Sequence, residues 1–329
     1  MRGTANTMIP EVPEISTISG MPEKKRSSFM KTLRQYKLHS GLFIMFIPVI
    51  IYYILFHYAP MYGVILAFKK YNFTDGIFGS PWIGLDNFRE MFGGKYFMRA
   101  FTNTLIISTY KMVIGFPAPI ILAILFNELR YKHFKKITQT ISYLPYFLSW
   151  VVLAGVVKEF LSPSVGPIGY IMKAMDMKPV NFLADPAWFR SALVFTGIWK
   201  GVGWNSIIYI AAIAGINPEL YEAAVMDGAS RLKRIIYITI PSILPVITIM
   251  LILGTGSIIL DDFDQIFNLY NPAVYPVGDV ISTYVYRVGL ANMEYSYGTA
   301  VGLFQNIISL FLILVTNAAA ERANEYTLL

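Results

Sequence analysis

The apolar stretch TGIWKGVGWNSIIY, near the middle of the chain, carries polar and aromatic side chains together. Lys200 and Trp204 are four residues apart and would share one face of a helix, with Trp199 beside them. Asn205 and Tyr209 follow in the same stretch. Aromatic faces can stack on flat apolar ligand surfaces while amide groups bind hydroxyls, so this combination makes the segment a candidate for ligand contact in a cavity.

Two further apolar stretches add side chains of the same types. They contribute Tyr143, Tyr146 and Trp150 ahead of this segment, and Gln305 and Asn306 near the end of the chain. The aromatic residues could instead form an interfacial belt or pack between helices. The sequence leaves both interpretations open for each of them.

Two lysines, Lys111 and Lys200, fall near the middle of apolar segments. A charge at that depth of a bilayer costs a few kcal/mol or more, so an ionisable residue there is a functional candidate. One hypothesis is that one or both face a path through the membrane and attract the carboxylates of an acidic substrate. The alternative is a structural pairing with a carboxylate or a backbone carbonyl of a neighbouring subunit.

Motifs for covalent or metal chemistry are missing from the sequence. It has no cysteine, only three scattered histidines, and neither a G-x-S-x-G nor an H-E-x-x-H pattern, so a hydrolase has no support. A phosphate-binding loop is also missing, since GGKY at 93–96 lacks its first glycine and its Ser/Thr. Asp261, Asp262 and Asp264 could bind a cation. Cation sites usually have more oxygen ligands than this cluster offers, so a solvated or capped helix end is the alternative interpretation.

The elements that position these residues are predicted to be membrane helices. The chain is 55% hydrophobic and only 14% charged, outside the usual range of soluble domains. A membrane-spanning helix needs roughly 20 mostly apolar residues. Six segments meet that need, so we expect an all-α integral membrane protein with six transmembrane helices, at 40–59, 101–127, 137–157, 189–213, 241–260 and 299–318.

Basic residues set the predicted orientation. They are concentrated in the leader before the first span and in the short turn after the second, and the loop after the fourth adds Arg231, Lys233 and Arg234. By the positive-inside rule these segments, and hence both termini, are cytoplasmic. Because the basic residues punctuate apolar runs, the net charge of +7 does not indicate nucleic-acid binding.

The domain organisation follows from these spans. A cytoplasmic basic leader covers 1–38, a six-helix membrane domain covers 39–320, and a cytoplasmic tail covers 321–329. The first span follows a polar leader and has no small-residue cleavage site after it, so it is expected to be an anchor. Prolines within or beside several spans, such as Pro117 and Pro245, remove backbone hydrogen bonds that must be replaced from elsewhere.

The cytoplasmic loop at 214–241 predicts two short helices joined at a glycine. Asn217 is placed to cap the first helix, Pro218 to begin it, and Gly228 to end it in a left-handed conformation. The second helix is expected to begin after Ser230 and to change course by Pro241.

The segment EAAVMDGASRLKRIIYITIP in this loop resembles the EAA loop of binding-protein-dependent ABC importer permeases. The matching positions are Glu222, Ala223, Ala224, Asp227, Gly228, Ala229, Ile238 and Pro241, while Ile235 stands where the family usually has Phe. In that family the loop forms a coupling helix that docks into an ATPase subunit. The resemblance therefore implies a type I ABC importer permease fold and assigns the ATPase-coupling role to residues 222–224 and 227–229.

The same resemblance implies partners and a location. Such a permease works with a second permease, here expected to be a different chain, with two ATPase subunits that bind ATP and Mg²⁺, and with an extracytoplasmic sugar-binding protein. It lies in the bacterial cytoplasmic membrane, holds no cofactor and performs no chemistry itself. The stretches GLDNFREMF and TYVYRVGLANMEYSYGTAVGLFQNIISL resemble the sugar branch that handles oligosaccharides, including uronic-acid polymers.

Two other classes remain as alternatives. An ion-coupled secondary transporter would use Asp262 or Lys200 as its coupling site, but such transporters often carry inverted repeats, and no second copy of a span pattern is evident. A purely structural membrane scaffold would leave the YEAAVMDGAS segment unexplained.

Overall fold

The computed structural model describes residues 40–324, which form an almost entirely helical structure. The predicted leader at 1–38 and the last five residues of the predicted tail lie outside the described residues. Between residues 40 and 324 no β-strand forms, and the only strand-like pairing is an isolated bridge between Lys69 and Trp82. The predicted all-α fold class is confirmed.

The chain divides into two compact units, one ending at Tyr62 and the other beginning at Gly63. In the first unit lie helices α1 (Ser40–Tyr53) and α2 (Ala59–Met61). The second unit contains α3 (Gly76–Gly79), α4 (Asp86–Gly93), α5 (Lys95–Tyr110), α6 (Pro117–Glu128), α7 (Lys132–Tyr143), α8 (Trp150–Phe160), α9 (Pro167–Ala174), α10 (Pro186–Ala214), α11 (Pro218–Met226), α12 (Arg231–Arg234), α13 (Ile240–Gly256), α14 (Phe263–Leu269), α15 (Tyr275–Gly278), α16 (Ile281–Val285) and α17 (Tyr295–Asn324).

Four continuous helical runs in the described part of the chain are long and apolar enough to cross a membrane. They correspond to the first, second, fifth and sixth predicted spans, at Ile44–Phe68, Lys95–Glu128, Arg231–Gly256 and Tyr295–Arg322. Each run extends beyond its predicted span at one end or both, because the helix continues into the flanking turns.

The third predicted span, at 137–157, is broken. The helical segments Lys132–Phe147 and Trp150–Phe160 meet at 108°, so together they form either one bent span or a re-entrant loop. Pro145 lies just before the break, and Leu148 is extended. The Ser149 side chain then caps the new helix by accepting a hydrogen bond from the Val152 N–H. The prediction of a straight span missed this restart.

The fourth predicted span corresponds to α10, a single helix of 29 residues. At 1.5 Å per residue it is about 43 Å long, ample for a bilayer. It does not reach the apolarity of the other spans because polar residues such as Lys200 and Asn205 interrupt it. Residues buried along its whole length, from Phe189 to Ile213, show that much of its surface faces protein rather than lipid.

Prolines in the spans are accommodated by π turns. The turns Ile54–Tyr58, Lys111–Gly115 and Ile235–Thr239 each end two residues before a proline. Proline has no N–H and crowds the carbonyl four residues earlier, and a π turn shifts the bonding to the carbonyl five residues back. The Ile240 N–H accordingly donates to the Ile235 carbonyl oxygen. The helix therefore continues through Pro241, and the predicted change of course there is wrong.

The asparagine of the GLDNFREMF stretch has a structural role. Asn87 is buried in α4, and its side-chain amide donates to the Ala67 carbonyl at 2.8 Å and to the Lys69 carbonyl at 3.2 Å. Met91 is fully buried, whereas Phe92 and Leu85 remain exposed. Asn87 therefore fixes α4 against the segment that follows the first membrane-spanning run.

A buried ion pair holds the segment between α15 and α17. The Asp279 carboxylate is fully buried and accepts hydrogen bonds from both terminal nitrogens of Arg287, at 3.2 and 2.5 Å. Bonding to Asp279 raises the pKa of the Arg287 guanidinium, which also lies 5.0 Å from the centre of the Tyr275 ring. Asn103 in α5 donates to the Asp279 carbonyl at 3.0 Å, so the pair also anchors this segment to α5.

Replacement of Arg287 by glutamine is expected to destabilise the protein. The change would leave the Asp279 carboxylate buried and uncompensated, at a cost of roughly 3 kcal/mol. The measurement is the thermal unfolding midpoint of the detergent-solubilised protein. Arg89→Gln is the matched control, because the Arg89–Asp86 pair is largely exposed and should contribute little. Equal midpoints for the two variants would contradict this role for Asp279.

Candidate functional site

The loop between α10 and α13 folds as a capped helix that ends at a glycine. The Asn217 side chain accepts a hydrogen bond from the Glu219 N–H at 3.1 Å, and Pro218 begins α11. The helix ends at Asp227, and Gly228 has a φ of +75°. The cap, the start and the end predicted for α11 are confirmed, because capping and turn preferences act over only a few residues.

Helix α11 presents the predicted coupling residues to solvent. Glu222, Ala223, Asp227 and Gly228 are exposed, Ala224 and Ala229 are half-buried, and no residue of α11 is fully buried. Three apolar side chains, Leu220, Val225 and Met226, are also exposed, the last to 87%. Within the described residues, neither Glu222 nor Asp227 forms an ion pair. The surface thus combines free carboxylates with apolar side chains, as a docking surface for another protein does.

One hydrogen bond joins α11 to the membrane-spanning run that follows it. The Tyr221 and Thr239 hydroxyls lie 2.9 Å apart. Thr239 is the last residue of the π turn before α13 and is only 2% exposed. The α11 surface is therefore connected to the base of the fifth predicted span.

A cavity of about 520 Å³ lies among the spans of the second unit. Its walls come from α5 and the following π turn, from α6, from the middle of α10, from α13 and from the segment leading into α14. Lys111, Asn205, Tyr209, Asp261 and Asp262 all line it. Three of the residues predicted to contact substrate, Lys111, Asn205 and Tyr209, are thus brought to one cavity by separate helices.

Gln265 holds Lys111 in this cavity. The Lys111 ammonium donates to the Gln265 side-chain oxygen. The Gln265 amide in turn donates to the Leu193 carbonyl at 2.7 Å and to the Thr196 hydroxyl at 3.0 Å, and Gln265 is fully buried. Among the described residues Lys111 has no ion-pair partner. Its charge therefore remains uncompensated by a direct contact and is held at the cavity wall.

The sequence did not lead to a predicted role for Gln265, although its spacing from Asp262 indicates that it lies in the first turn of a helix. Asp262 and Gln265 have the D-x-x-Q spacing of a helix start, in which a capping side chain and a residue three positions later bond across the first turn. Asp262 does accept from the Gln265 N–H at 3.2 Å. The Gln265 side chain, however, points to Lys111, a contact across 154 residues that local spacing does not encode.

The acidic cluster is occupied by hydrogen bonds within the protein. Asp261 accepts from the Ser282 hydroxyl and from its N–H. Asp262 caps α14 and also accepts from the Trp150 indole N–H at 3.0 Å. No group of three or more acidic, histidine or cysteine side chains suited to a metal ion occurs among residues 40–324. This arrangement favours the capping interpretation over cation binding.

The other predicted substrate residues lie outside this cavity lining. The Lys200 ammonium lies 4.6 Å from the centre of the Trp150 ring. Tyr146 stacks on Trp204 with ring centres 4.7 Å apart. Trp199 instead lines a second, apolar cavity of about 560 Å³.

Asn306, also predicted to contact substrate, bonds within its own helix. Its side-chain amide donates to the Gly302 carbonyl of α17 at 3.0 Å. The predicted set is therefore divided among the charged cavity, two aromatic contacts, the apolar cavity and a site on α17.

A comparison with protein-family models identifies the class of protein. The family described as binding-protein-dependent transport system inner membrane component matches residues 115–324, which include the α11 loop and most of the cavity wall. The chain belongs to this family. It is a permease component of the sugar branch of ABC importers, a multi-pass protein of the inner membrane.

Two relatives show how much of the chain takes part in this similarity. The chain is 38% identical to protein LplB of Bacillus subtilis (strain 168) over 301 residues, covering 92% of this chain and 94% of the relative. It is 37% identical to the polygalacturonan/rhamnogalacturonan transport system permease protein YteP of the same organism, with 96% and 97% covered. In both cases nearly the whole chain takes part in the similarity.

Solved structures share the fold. One is a bacterial ABC transporter involved in import of the acidic polysaccharide alginate, with 41% identity and a TM-score of 0.83 over 89% of this chain and 99% of that one. A second is a bacterial alginate ABC transporter in complex with a periplasmic protein bound to an alginate pentasaccharide, with 40% identity, a TM-score of 0.83 and coverages of 90% and 99%. The type I permease fold is therefore shown.

Replacement of Gly228 by valine is expected to distort the α11 loop. No atom lies within 4 Å of a Cβ built at Gly228, so the cost arises from its positive φ alone, roughly 1–2 kcal/mol for a side chain with a β-carbon. Hydrogen–deuterium exchange of residues 218–234 is the measurement, and faster exchange is the expected result. Gly228→Asn is the control, because asparagine tolerates this conformation best after glycine. Identical exchange in all three proteins would contradict the argument.

Proposed function

We propose that this chain is one permease subunit of an ATP-driven importer that carries acidic, uronate-containing oligosaccharides. The observation that carries the substrate class is Lys111, a cation on the wall of a membrane cavity, held by Gln265 and without an ion-pair partner among the described residues. A carboxylate of a passing sugar would supply that partner. The alginate importer and the YteP permease, both similar to this chain, transport acidic or polygalacturonan polymers.

The remaining predicted residues fit a path for a sugar chain. Asn205 and Tyr209 would bind hydroxyls beside Lys111, and the stacked Tyr146 and Trp204 rings offer an aromatic face half open to solvent. Amide and aromatic groups of this kind suit the polar edges and the apolar faces of sugar rings. Lys200, Trp150, Trp199 and Asn306 complete the proposed set of path residues.

The proposed complex contains a second, different permease, two ATPase subunits and an extracytoplasmic sugar-binding protein. The exposed carboxylates and apolar side chains of α11 support docking of an ATPase, which would bind ATP and Mg²⁺. The alginate-transporter complex with its periplasmic protein supports the binding-protein partner. Both termini would then be cytoplasmic, on the side of the α11 loop.

The proposed mechanism is alternating access. ATP favours the closed state of the ATPases because it binds that state better, and closure would bring the two coupling helices together. The cavity would then open outward to the loaded binding protein. An ion-coupled mechanism is less well supported, since one of its two candidate sites, Asp262, is already bonded to Trp150 and to the start of α14, and the other, Lys200, lies over the Trp150 ring.

Charge reversal on α11 tests the partner assignment. A tagged protein purified from its native membranes is expected to bring down an ATPase and a second permease. Glu222→Arg should lose the ATPase and keep the permease, because an exposed carboxylate on the docking surface would become a repulsive cation. Glu159→Arg, an exposed reversal at the end of α8, should keep both. Retention of the ATPase by the Glu222 variant would contradict its docking at this helix.

Neutralisation of Lys111 tests the substrate class. Lys111→Gln should reduce uptake of a uronate oligosaccharide by roughly 10- to 100-fold, the equivalent of one charge-assisted hydrogen bond, and leave a neutral oligosaccharide of equal length less affected. Uptake into proteoliposomes with the complete complex is the measurement. Lys158→Gln is the matched control, because Lys158 is exposed near the end of α8 and does not line the cavity. Equal losses for both substrates would contradict recognition of charge.

A further inference from the structure

Helix α11 is attached to the rest of the protein by very few polar contacts. Apart from the capping bonds of Asn217, the Tyr221–Thr239 hydrogen bond is the only side-chain hydrogen bond that residues 218–229 form within the described structure. None of the α11 residues is fully buried. A displacement of α11 therefore reaches the fifth predicted span mainly by two routes, the backbone through Gly228 and the Tyr221–Thr239 contact.

The backbone route through Gly228 is flexible. Gly228 has a left-handed φ of +75° and open space around it, so the chain can rotate there without a steric penalty. A hinge of this kind absorbs movement rather than transmitting it. The hydroxyl contact bypasses the hinge, because it joins α11 directly to a residue 18 positions later.

The contact reaches the membrane-spanning run at its π turn. Thr239 ends the π turn Ile235–Thr239, and Pro241 follows two residues later without an N–H to donate. Thr239 is also buried, so a force on its hydroxyl acts on the packed helix rather than on a loose side chain. Kinks and register changes in helices concentrate at π turns and prolines.

We propose that the Tyr221–Thr239 hydrogen bond is the strut that carries movement of the ATPase-docked helix α11 into the fifth span and bends that span at its π turn. This proposal rests on the proposed function, since it requires a partner ATPase to move α11. Tyr221 and Thr239 are thereby positioning residues: they contact neither the sugar nor ATP. They set how far ATP-driven closure displaces the cavity wall formed by α13.

Two isosteric substitutions each remove the Tyr221–Thr239 hydrogen bond, one at each of its two residues. Tyr221→Phe and Thr239→Val each delete one hydroxyl and keep the side-chain shape. In proteoliposomes that contain the complete importer, each should keep its bound ATPase but transport roughly 2- to 10-fold less sugar per ATP hydrolysed, as expected for the loss of one hydrogen bond. Thr239→Ser keeps the hydroxyl and should restore the wild-type ratio. Tyr237→Phe, an exposed hydroxyl in the same π turn, is the matched control.

The double variant separates a shared contact from two independent defects. Tyr221→Phe combined with Thr239→Val should lower the ratio no further than Thr239→Val alone, because both changes remove the same bond; the Thr239 hydroxyl also lies 3.5 Å from the Arg234 carbonyl oxygen, a contact that only Thr239→Val removes. Wild-type ratios in the single variants, or losses that multiply in the double variant, would overturn the strut while leaving the importer assignment intact. Absence of any ATPase from the purified wild-type complex would instead overturn the proposed function, and the strut with it.

Discussion

A hydrocarbon bilayer supplies no hydrogen-bonding partner to a peptide group, so each membrane crossing has to satisfy its own backbone. Prolines make this requirement acute, because each one removes a donor in the middle of a span. Three spans meet the requirement in the same way, with a π turn that ends two residues before the proline. The helices remain continuous, but each contains one turn with altered hydrogen bonding, and two of these turns, Lys111–Gly115 and Ile235–Thr239, contain residues on which the proposals depend.

The π turns connect the fold with the cavity and with the α11 loop. Lys111 is the first residue of one turn, and its side chain reaches Gln265 across the cavity wall. Thr239 is the last residue of another and receives the contact from Tyr221. A change in either turn would therefore move a side chain that faces the substrate path or the ATPase-docking helix. In the proposed alternating-access mechanism, one π turn would therefore lie at the substrate cavity and another at the contact with α11.

Buried charged side chains are stabilised by different partners in different parts of the protein. Asp279 and Arg287 satisfy each other in a buried pair, and Asp261 and Asp262 are satisfied by hydroxyl, indole and backbone donors. Lys111 is bonded to a neutral amide instead, which orients the ammonium without cancelling its charge. Bonded acids beside an uncancelled cation are consistent with a path for acidic sugars.

The sequence by itself determined the all-helical membrane fold, the four continuous spans and the capped α11 helix with its left-handed glycine. Each of these depends on apolar length or on neighbours within a few residues. Only the tertiary structure decided that the third span is broken at Leu148 and Ser149, that the helix passes through Pro241, and that Lys111 rather than Lys200 faces the charged cavity. Those outcomes depend on how helices rotate and pack against one another, as in the contact between Lys111 and Gln265. A hydropathy pattern fixes the length of a helix and leaves its rotation free.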